Sequence, residues 1–353
     1  MNLFKKIIAS ILVTGMVFSF TACSDTTWVY KNGEDSISAG VYLGNLVESY
    51  ISATYKDGLD TSKDLFKQEI EGVSAEEYIK QEAKKLSLES LVIAKKFKEL
   101  GLTVPQQTTD EINNAMKNSW SYVESFYESN GVGEKSYREI LTSRKMQELI
   151  FHKYYNKDGI EEVANDDLMV HFKDTFKCIN IFGIKLEKAE KDKTLTAEQQ
   201  KRNDDAKKNA QTMLEMLQKG KGFNETYAEY IKIENKTLPE DQQKEIEVKD
   251  DNATKLVISN ESTNISEKVR NAIMNDLKVG EPMLIEDDNG LYLVVGYDIE
   301  KETDKFDEMR DTLLYDIKGE EFDEMLNNWV KELEGTVETN EASVKRYSPK
   351  KIK

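Results

Sequence analysis

CINIFGI, residues 178–184, is a short apolar run with three isoleucines, and it predicts a buried strand in a helix-rich chain. A second apolar run, LYLVV at residues 291–295, follows Asn289-Gly290, a pair that predicts a tight turn into a strand. Between these runs, apolar residues recur at three- and four-residue spacing over 206–218, which predicts an amphipathic helix. We therefore expect a small sheet with helices packed on it between residues 175 and 296.

The order of these elements and their spacing resemble the parvulin-type peptidyl-prolyl isomerase domain. A Gly-x-x-Phe helix start, a Leu-x-x-Gly-Glu segment and an Asn-Gly strand follow one another as they do in that family. The matching residues are Ala210, Leu217, Gly220, Phe223, Ala272, Leu277, Gly280, Glu281 and Gly290. The resemblance implies an α+β domain with a small antiparallel sheet, and the activity of rotating the bond that precedes a proline.

The resemblance also indicates where the active site would lie. The family usually has a histidine on each of its two central strands, where this chain has Asn180 and Tyr292, so these are the catalytic candidates. It further implies that Phe182, Phe223 and Met283 bind the substrate, with Met283 at a position where a serine is usual. Because both histidines are absent, the resemblance leaves open whether the chain is an active isomerase.

Prolyl isomerisation requires neither a nucleophile nor a metal, because its barrier of about 18–20 kcal/mol is rotational. An enzyme lowers that barrier by holding the proline in an apolar pocket while polar groups favour the twisted amide. Asn180 and Tyr292 retain hydrogen-bonding groups, so the sequence is compatible with weak turnover. The alternative is that both are strand residues packed as core. The Gly-Gly segment of the family is also replaced, by polar residues 249–255.

The N-terminus has the pattern of a lipoprotein signal peptide over residues 1–22. Lys5 and Lys6 precede an apolar stretch too short to span a bilayer, and small residues precede Cys23. Cleavage would leave Cys23 as the lipidated first residue, tethered through residues 23–27. The alternative is an uncleaved N-terminal anchor. In both cases the body of the protein would lie on the extracytoplasmic face of the cell membrane.

Charge and cysteine content exclude further classes. The formal charge is −17, and removal of residues 1–22 takes away two lysines and no acids, giving −19. Such an acidic chain repels nucleic acid, so we expect no nucleic-acid partner. With Cys23 lipidated, Cys178 is left alone and no internal disulfide can form. This pattern favours a Gram-positive cell surface, where folding does not depend on disulfides.

The flanking regions are predicted to be helical. Ser38 and Ser74 are candidate N-caps, the latter in a capping-box pattern. The predicted helices span residues 39–55, 74–101, 110–120, 123–130, 135–155, 168–176 capped by 165–167, and 304–333, with short strands at 28–30 and 336–340. Residues 82–86 and 100–104 resemble the N-terminal chaperone region of secreted foldases of the PrsA and SurA type.

That second resemblance implies a discontinuous arrangement. A helical chaperone domain would comprise residues 28–172 and, through a returning helix and strand, 302–345. The parvulin-like domain, 173–301, would be inserted into it, and a basic tail would follow at 346–353. The implied partners are unfolded or partly folded secreted proteins, together with the membrane through the lipid on Cys23.

Other chemistry finds little support in the sequence. His152 and His171 are the only histidines and no cysteine pair has ligand spacing, so we predict neither a metal site nor a cofactor. Amphipathic helices with exposed apolar patches can bind unfolded chains without turnover, and the candidates here are Met116, Trp120, Tyr122, Phe126 and Tyr127, with ordinary helix packing as the alternative. A non-catalytic surface lipoprotein that binds a solute or a structural partner remains the alternative function.

Overall fold

The structure is a computed structural model that describes residues 27–189 and 194–352. Its helices are α1 (Ala39–Thr54), α2 (Ala75–Glu99), α3 (Gln106–Ser129), α4 (Glu134–Tyr155), α5 (Asn165–Thr175), α6 (Ala197–Gln218), α7 (Phe223–Asn235), α8 (Glu267–Asp276), α9 (Thr303–Glu334) and α10 (Glu341–Arg346). Its strands are β1 (Trp28–Asn32), β2 (Asp35–Ser38), β3 (Glu69–Ile70), β4 (Val73–Ser74), β5 (Lys177–Lys185), β6 (Leu256–Ile258), β7 (Met283–Asp287), β8 (Gly290–Tyr297) and β9 (Glu338–Thr339). Long helices with small antiparallel sheets confirm the predicted α+β class.

The chain groups into two compact units by its internal contacts. One unit runs to Glu162 and resumes at Lys318, and the other is Val163–Ile317. The second boundary falls inside α9, so the first half of α9 and the whole of α5 group with the four-stranded sheet. The predicted parvulin-like domain, 173–301, lies within this second unit, and its functional meaning stays a prediction.

In the first unit the predicted helix starts are set by serine caps. The Ser38 hydroxyl accepts from the Val41 N–H at 3.2 Å, and the Ser74 hydroxyl accepts from the Glu77 N–H at 3.3 Å. Each bond satisfies a donor that the first turn of a helix leaves without an intrahelical partner. The expected N-caps of α1 and α2 are therefore confirmed.

The C-terminal segment returns to the N-terminal hairpin of the same unit. β9 pairs with β1 in antiparallel register, with Thr339 opposite Tyr30, and the Asn340 side chain donates to the Trp28 carbonyl at 3.1 Å. The second half of α9 packs on α4, where the rings of Phe322 and Phe151 meet edge to face at 5.3 Å. The predicted closing strand is thus a short strand of a three-stranded sheet ordered β2-β1-β9.

One sequence-based boundary in this unit is wrong. Residues 110–120 and 123–130 were expected to form separate helices, but both belong to the single helix α3. No glycine or proline interrupts the stretch between them, and Tyr122 is 88% exposed. The break in apolar periodicity therefore marks a position that faces solvent, and the backbone continues through it.

A second boundary is wrong at α5. The sequence suggested that residues 165–167 cap a helix beginning at 168, yet α5 begins at Asn165 and Ala164 occupies the N-cap without a side-chain bond. Asp166 and Asp167 lie in the first turn, where negative charge interacts favourably with the helix dipole. Acidic residues at this place stabilise the helix start from inside it.

The second unit is built on an antiparallel sheet ordered β6-β5-β8-β7. β5 and β8 form its centre, with Asn180 opposite Val295 and Gly183 opposite Tyr292. One face packs on α6 and α7 around Phe182 and Leu293, and the other face packs on α8. Both predicted strands are confirmed, and each is longer than the apolar run from which it was predicted.

The first sheet helix is longer than its apolar stripe. α6 begins at Ala197, ahead of the predicted start at 206, because Thr196 and Gln199 form a reciprocal capping box. Gly220 follows the helix with φ +84°, a left-handed conformation that glycine adopts without strain. Phe223 then opens α7, so the sharp turn between α6 and α7 depends on Gly220.

The N-terminal predictions concern residues outside the described part of the chain. The signal peptide at 1–22 and the lipidation site Cys23 both lie there. Within residues 27–189 and 194–352, no helix is long and apolar enough to cross a membrane.

Candidate functional site

Asn180, at the first of the two histidine positions, is fully buried in the middle of β5. Its side-chain amide donates to the Asp251 carbonyl at 3.0 Å and to the Tyr297 hydroxyl at 2.9 Å. Its side-chain oxygen accepts from the Thr254 hydroxyl at 3.2 Å. Both amide hydrogens and the oxygen are therefore bonded within the protein.

The segment that meets Asn180 is fixed to the start of α7. The Asp251 carboxylate accepts from the Phe223 N–H at 2.8 Å and from the Asn224 N–H at 2.7 Å. The Asn224 side chain donates to the Asp250 carbonyl at 3.1 Å and to the Thr254 hydroxyl at 2.7 Å. These bonds hold residues 250–254 against the sheet face on which Asn180 lies.

A buried ion pair continues this polar cluster. The Lys255 ammonium lies 2.5 Å from the Glu302 carboxylate, and the two side chains are only 8% and 16% exposed. The same ammonium lies 4.2 Å from the centre of the Tyr297 ring, within the range of a cation–π contact. Burial raises the pKa of Tyr297, and burial likewise raises the pKa of the neighbouring Cys178 thiol to about 11. Cys178 is thus a protonated core residue.

Tyr292, at the second histidine position, is not brought together with Asn180. Side chains alternate between the two faces along a strand. Asn180 shares a face with Phe182, whereas Tyr292 packs with Val294 in the cluster against α8. The Tyr292 ring lies beside Gly183, where a Cβ would come within 3.2 Å of it. The two catalytic candidates therefore lie on opposite faces of the sheet.

The predicted substrate-binding residues are divided in the same way. Phe182 and Phe223 meet at 5.3 Å between ring centres, and Tyr227 and Tyr230 complete an aromatic cluster beneath β5. Met283 is half-buried on the face of Tyr292. Phe182 and Phe223 are buried core residues, so no pocket gathers the three predicted side chains.

Tyr297 is the partner that sequence reasoning missed. It is the last residue of β8 and lies beyond the predicted strand end at 295. Counting in steps of two along β8 places Val295 and Tyr297 on the face opposite to that of Tyr292. The alternation of side chains along β8 indicates which face Tyr297 occupies. To identify Tyr297 as a partner of Asn180, however, one also needs the pairing register of β5 with β8.

The histidines occupy helix surfaces. The His171 Nε2 lies 3.2 Å from the Asp316 carboxylate, and its Nδ1 lies 3.3 Å from the Thr175 hydroxyl. His152 is half-buried on α4. Throughout the residues that the structure describes, no three histidine, cysteine or acidic side chains are grouped so that they could hold a metal ion.

The client-binding candidates on α3 differ in exposure. Met116 and Tyr127 are buried, Trp120 and Phe126 are half-buried, and Tyr122 is 88% exposed. The Trp120 ring packs on Tyr137 of α4, 5.4 Å between centres. α3 therefore exposes Tyr122 to solvent, together with part of the Trp120 and Phe126 side chains.

Comparison with known proteins finds likeness in structure alone. No protein-family model and no curated protein matches the chain. The chain is similar to the foldase protein PrsA of Streptococcus pneumoniae at 14% identity, covering 79% of this chain and 97% of that one with a TM-score of 0.37. PrsA of Bacillus subtilis gives 15% identity, coverage of 78% and 87%, and a TM-score of 0.32. The Lactococcus lactis foldase PrsA gives 12% identity, coverage of 90% and 96%, and a TM-score of 0.37.

These structures confirm the predicted resemblance to PrsA-type proteins. Identities and TM-scores at this level carry no conclusion about activity. The function has to be argued from the chain's own residues.

Proposed function

We propose that this protein is a membrane-anchored extracytoplasmic foldase or chaperone of the PrsA type that binds unfolded secreted proteins without accelerating prolyl isomerisation. The proposal depends chiefly on Asn180. Its amide stands where the parvulin family has a catalytic histidine, and each of its polar atoms bonds to the chain itself.

The absence of turnover follows from what a prolyl bond needs. Rotation is accelerated when polar groups stabilise the twisted amide of a proline held in an apolar pocket. Asn180 cannot turn to a substrate without breaking three internal bonds, and residues 250–254 lie over it. Tyr292 is on the other sheet face. Asn180 and Tyr292 therefore cannot converge on one prolyl bond.

Client binding is supported by the apolar surface of α3. Trp120, Val123 and Phe126 are half-buried, and Tyr122 on the same helix is 88% exposed. Exposed apolar patches on soluble domains usually mark interaction sites, and unfolded chains present apolar side chains that can cover such a patch. The acidic charge of the chain argues against a nucleic-acid partner.

The location in the cell follows from the N-terminal sequence. A signal peptide at 1–22 followed by lipidation of Cys23 would hold the protein at the outer face of the membrane, where secreted chains emerge unfolded. The lack of a possible internal disulfide pair favours a Gram-positive cell surface.

Suppression of aggregation by the purified protein tests this proposal. Citrate synthase unfolded by heat is the client, and light scattering is the readout. We expect wild-type protein to suppress aggregation, and Tyr122→Ser to require roughly fivefold more protein for the same effect, as loss of about 1 kcal/mol of contact energy would produce. Tyr55→Ser is the matched control, since Tyr55 is 83% exposed in the same unit but lies away from α3, at the C-cap of α1.

Two outcomes would contradict the proposal. Wild-type protein that leaves aggregation unchanged at a several-fold excess is not a chaperone. A protein that fails in this assay and gains thermal stability with one small solute would instead be a solute-binding lipoprotein.

A further inference from the structure

The direction of each backbone group along β5 can be read from its neighbour β8. The Gly280 N–H donates to the Gly296 carbonyl at 2.9 Å, so Gly296 directs its backbone groups away from β5. In an antiparallel ladder, alternate residues bond to opposite neighbours. Tyr297, Val295, Leu293 and Leu291 therefore bond to β5, and the residues of β5 that point to its outer edge are Lys177, Ile179, Ile181, Gly183 and Lys185.

Both ends of this outer edge are closed. β6 pairs with Lys177–Ile179 at one end. At the other end the Asn203 side chain of α6 acts as a substitute strand, because it accepts from the Glu187 N–H at 2.7 Å and donates to the Glu187 carbonyl at 3.0 Å. At both ends of the edge, the outward backbone groups are therefore hydrogen-bonded within the protein.

The stretch between these two ends has no strand beside it. Among the residues that the structure describes, Ile181, Gly183 and Lys185 have no hydrogen-bond partner for their outward N–H and C=O groups. Gly183 and Lys185 are exposed. Unpaired edge groups of this kind are a template for an added strand.

The other edges of this sheet have fewer unpaired backbone groups. By the same alternation, only Leu284 and Glu286 of β7 point outward, and Glu286 is held in an ion pair with Lys207. On the three-residue strand β6, only Val257 points outward. The outer edge of β5 therefore presents the longest series of free backbone groups in the described sheet.

We propose that the edge Ile181–Lys185 binds an extended segment of an unfolded client, which adds to the sheet as a strand. This inference deepens the proposed function and rests on it, since it names where a client would bind. The spacing of the outward groups at every second residue matches the backbone of a β-strand. Backbone pairing makes no demand on sequence, which suits a protein that must accept many unfolded chains.

The surroundings of the edge fit such a guest. On one face, the half-buried Tyr227 lies against Phe182 at 5.1 Å between ring centres. On the other face, Gly183 and Tyr292 line a shallow cavity of about 220 Å³. A client side chain beside Gly183 would contact the Tyr292 ring, which covers the glycine. Tyr292, expected from the sequence to be catalytic, would then contact the added strand.

The charge pattern favours a client over a second copy of this chain. Lys185 is exposed at the edge, and lysine on an edge strand disfavours pairing between identical edges. Two copies paired along this stretch would also bring together bodies that each carry a formal charge of −19 once residues 1–22 are removed. An unfolded polypeptide brings no fixed charge to that place.

Amide hydrogen exchange on the wild-type protein tests the proposal directly. The probe is reduced, carboxamidomethylated α-lactalbumin, which stays unfolded and carries no charge added by the alkylation. We expect the amides of Ile181, Gly183 and Lys185 to exchange fast in the free protein, and those of Phe182 and Ile184 slowly. At a client concentration about ten times Kd, exchange of the three outward amides should slow about tenfold. Unchanged exchange of these amides with client bound would overturn the proposal.

A matched pair of variants adds a second test. Lys185→Pro removes one outward N–H at an edge position, where proline is tolerated, and Lys185→Ala keeps that N–H. We expect Lys185→Pro to bind the client roughly fivefold more weakly, as loss of one backbone hydrogen bond implies, and Lys185→Ala to bind as wild type does.

The outcomes separate this inference from the proposed function. If Lys185→Pro binds and suppresses aggregation as wild type does, the edge is not the site and the chaperone proposal stands. If the wild-type protein neither binds the client nor suppresses aggregation, the chaperone proposal itself fails. A dimer in sedimentation that Lys185→Pro dissolves would assign the edge to self-association and overturn the inference.

Discussion

At the scale of single residues, Asn180 is a polar side chain that belongs to the internal hydrogen-bond network of the sheet. A polar side chain buried in a strand must be hydrogen-bonded, because leaving its groups unpaired costs free energy. Asn180 meets this requirement by tying residues 250–254 to the sheet. The same hydrogen bonds that offset the cost of burying the Asn180 side chain leave none of its polar groups available to a substrate.

Replacement of Asn180 should therefore affect stability strongly. Asn180→Ala removes three hydrogen bonds of about 1 kcal/mol each, so we expect the free energy of unfolding to fall by about 3 kcal/mol. Urea unfolding measures it. The control is Asn260→Ala at an exposed turn, which should change the value by less than about 0.5 kcal/mol. Equal effects of the two variants would show that Asn180 is not a structural residue.

The Cys178 thiol gives a second prediction at this scale. Burial raises its pKa to about 11, so at pH 8 it is protonated as well as inaccessible. In a Cys23→Ser background, where Cys178 is the only cysteine, we expect no reaction with a disulfide reagent until urea unfolds the protein. Rapid modification of the native protein would contradict the buried position.

At the scale of elements, local sequence chemistry predicted much of the secondary structure. Serine caps, an Asn-Gly turn and a glycine after a helix act over a few residues, and each forms as its neighbours dictate. The prediction failed at α3, where an exposed Tyr122 interrupted the periodicity without interrupting the backbone. Acidic residues at the start of α5 were likewise assigned as caps, although they lie within its first turn.

The candidate site could not be predicted in the same way, because it depends on which residues face each other across strands. Asn180 and Tyr292 were correctly placed on adjacent strands. Their faces follow from the register of β5 with β8, and register is set by long-range packing. The resemblance to parvulin-type domains placed the two strands correctly, but it did not identify Tyr297 as the hydrogen-bond partner of Asn180.

The cap of α7 links the element scale to the site. Asp251 accepts from two N–H groups of the first turn, so Asp251→Ala should lower the free energy of unfolding by about 1–2 kcal/mol. Asp241→Ala, at an exposed turn, is the control. In the nuclear magnetic resonance spectrum, only Asp251→Ala should shift signals of Asn180. An undisturbed Asn180 would mean that the cap does not hold residues 250–254 in place.

The start of α2 predicts a pH effect. Hydrogen bonds from Lys350 and then Lys80 lower the pKa of Glu76 to about 2. A carboxyl whose pKa is lowered by folding stabilises the protein above its unfolded pKa of about 4.5, and this contribution disappears as pH falls towards 2. Because the pair lies near the surface, Glu76→Gln should cost no more than about 1 kcal/mol at pH 7. A difference between the two proteins that persisted unchanged at pH 2.5 would contradict this assignment.

At the scale of the whole molecule, the binding of a polypeptide and the isomerisation of its prolyl bonds are separate functions, and we propose only the first for this protein. In the proposed function, the exposed apolar side chains of α3 and the free edge of β5 bind a polypeptide. The sheet face that would carry catalysis is closed by the protein's own segment 250–254. We therefore propose that the protein acts on its clients by keeping them from aggregating.

The most direct measurement is a protease-coupled prolyl-peptide assay on the purified protein, with several residues preceding the proline. We expect the isomerisation rate to stay at the uncatalysed value up to high protein concentration. A rate that rises in proportion to protein and is lost in Asn180→Ala, with the variant shown to be folded by circular dichroism, would contradict the central claim.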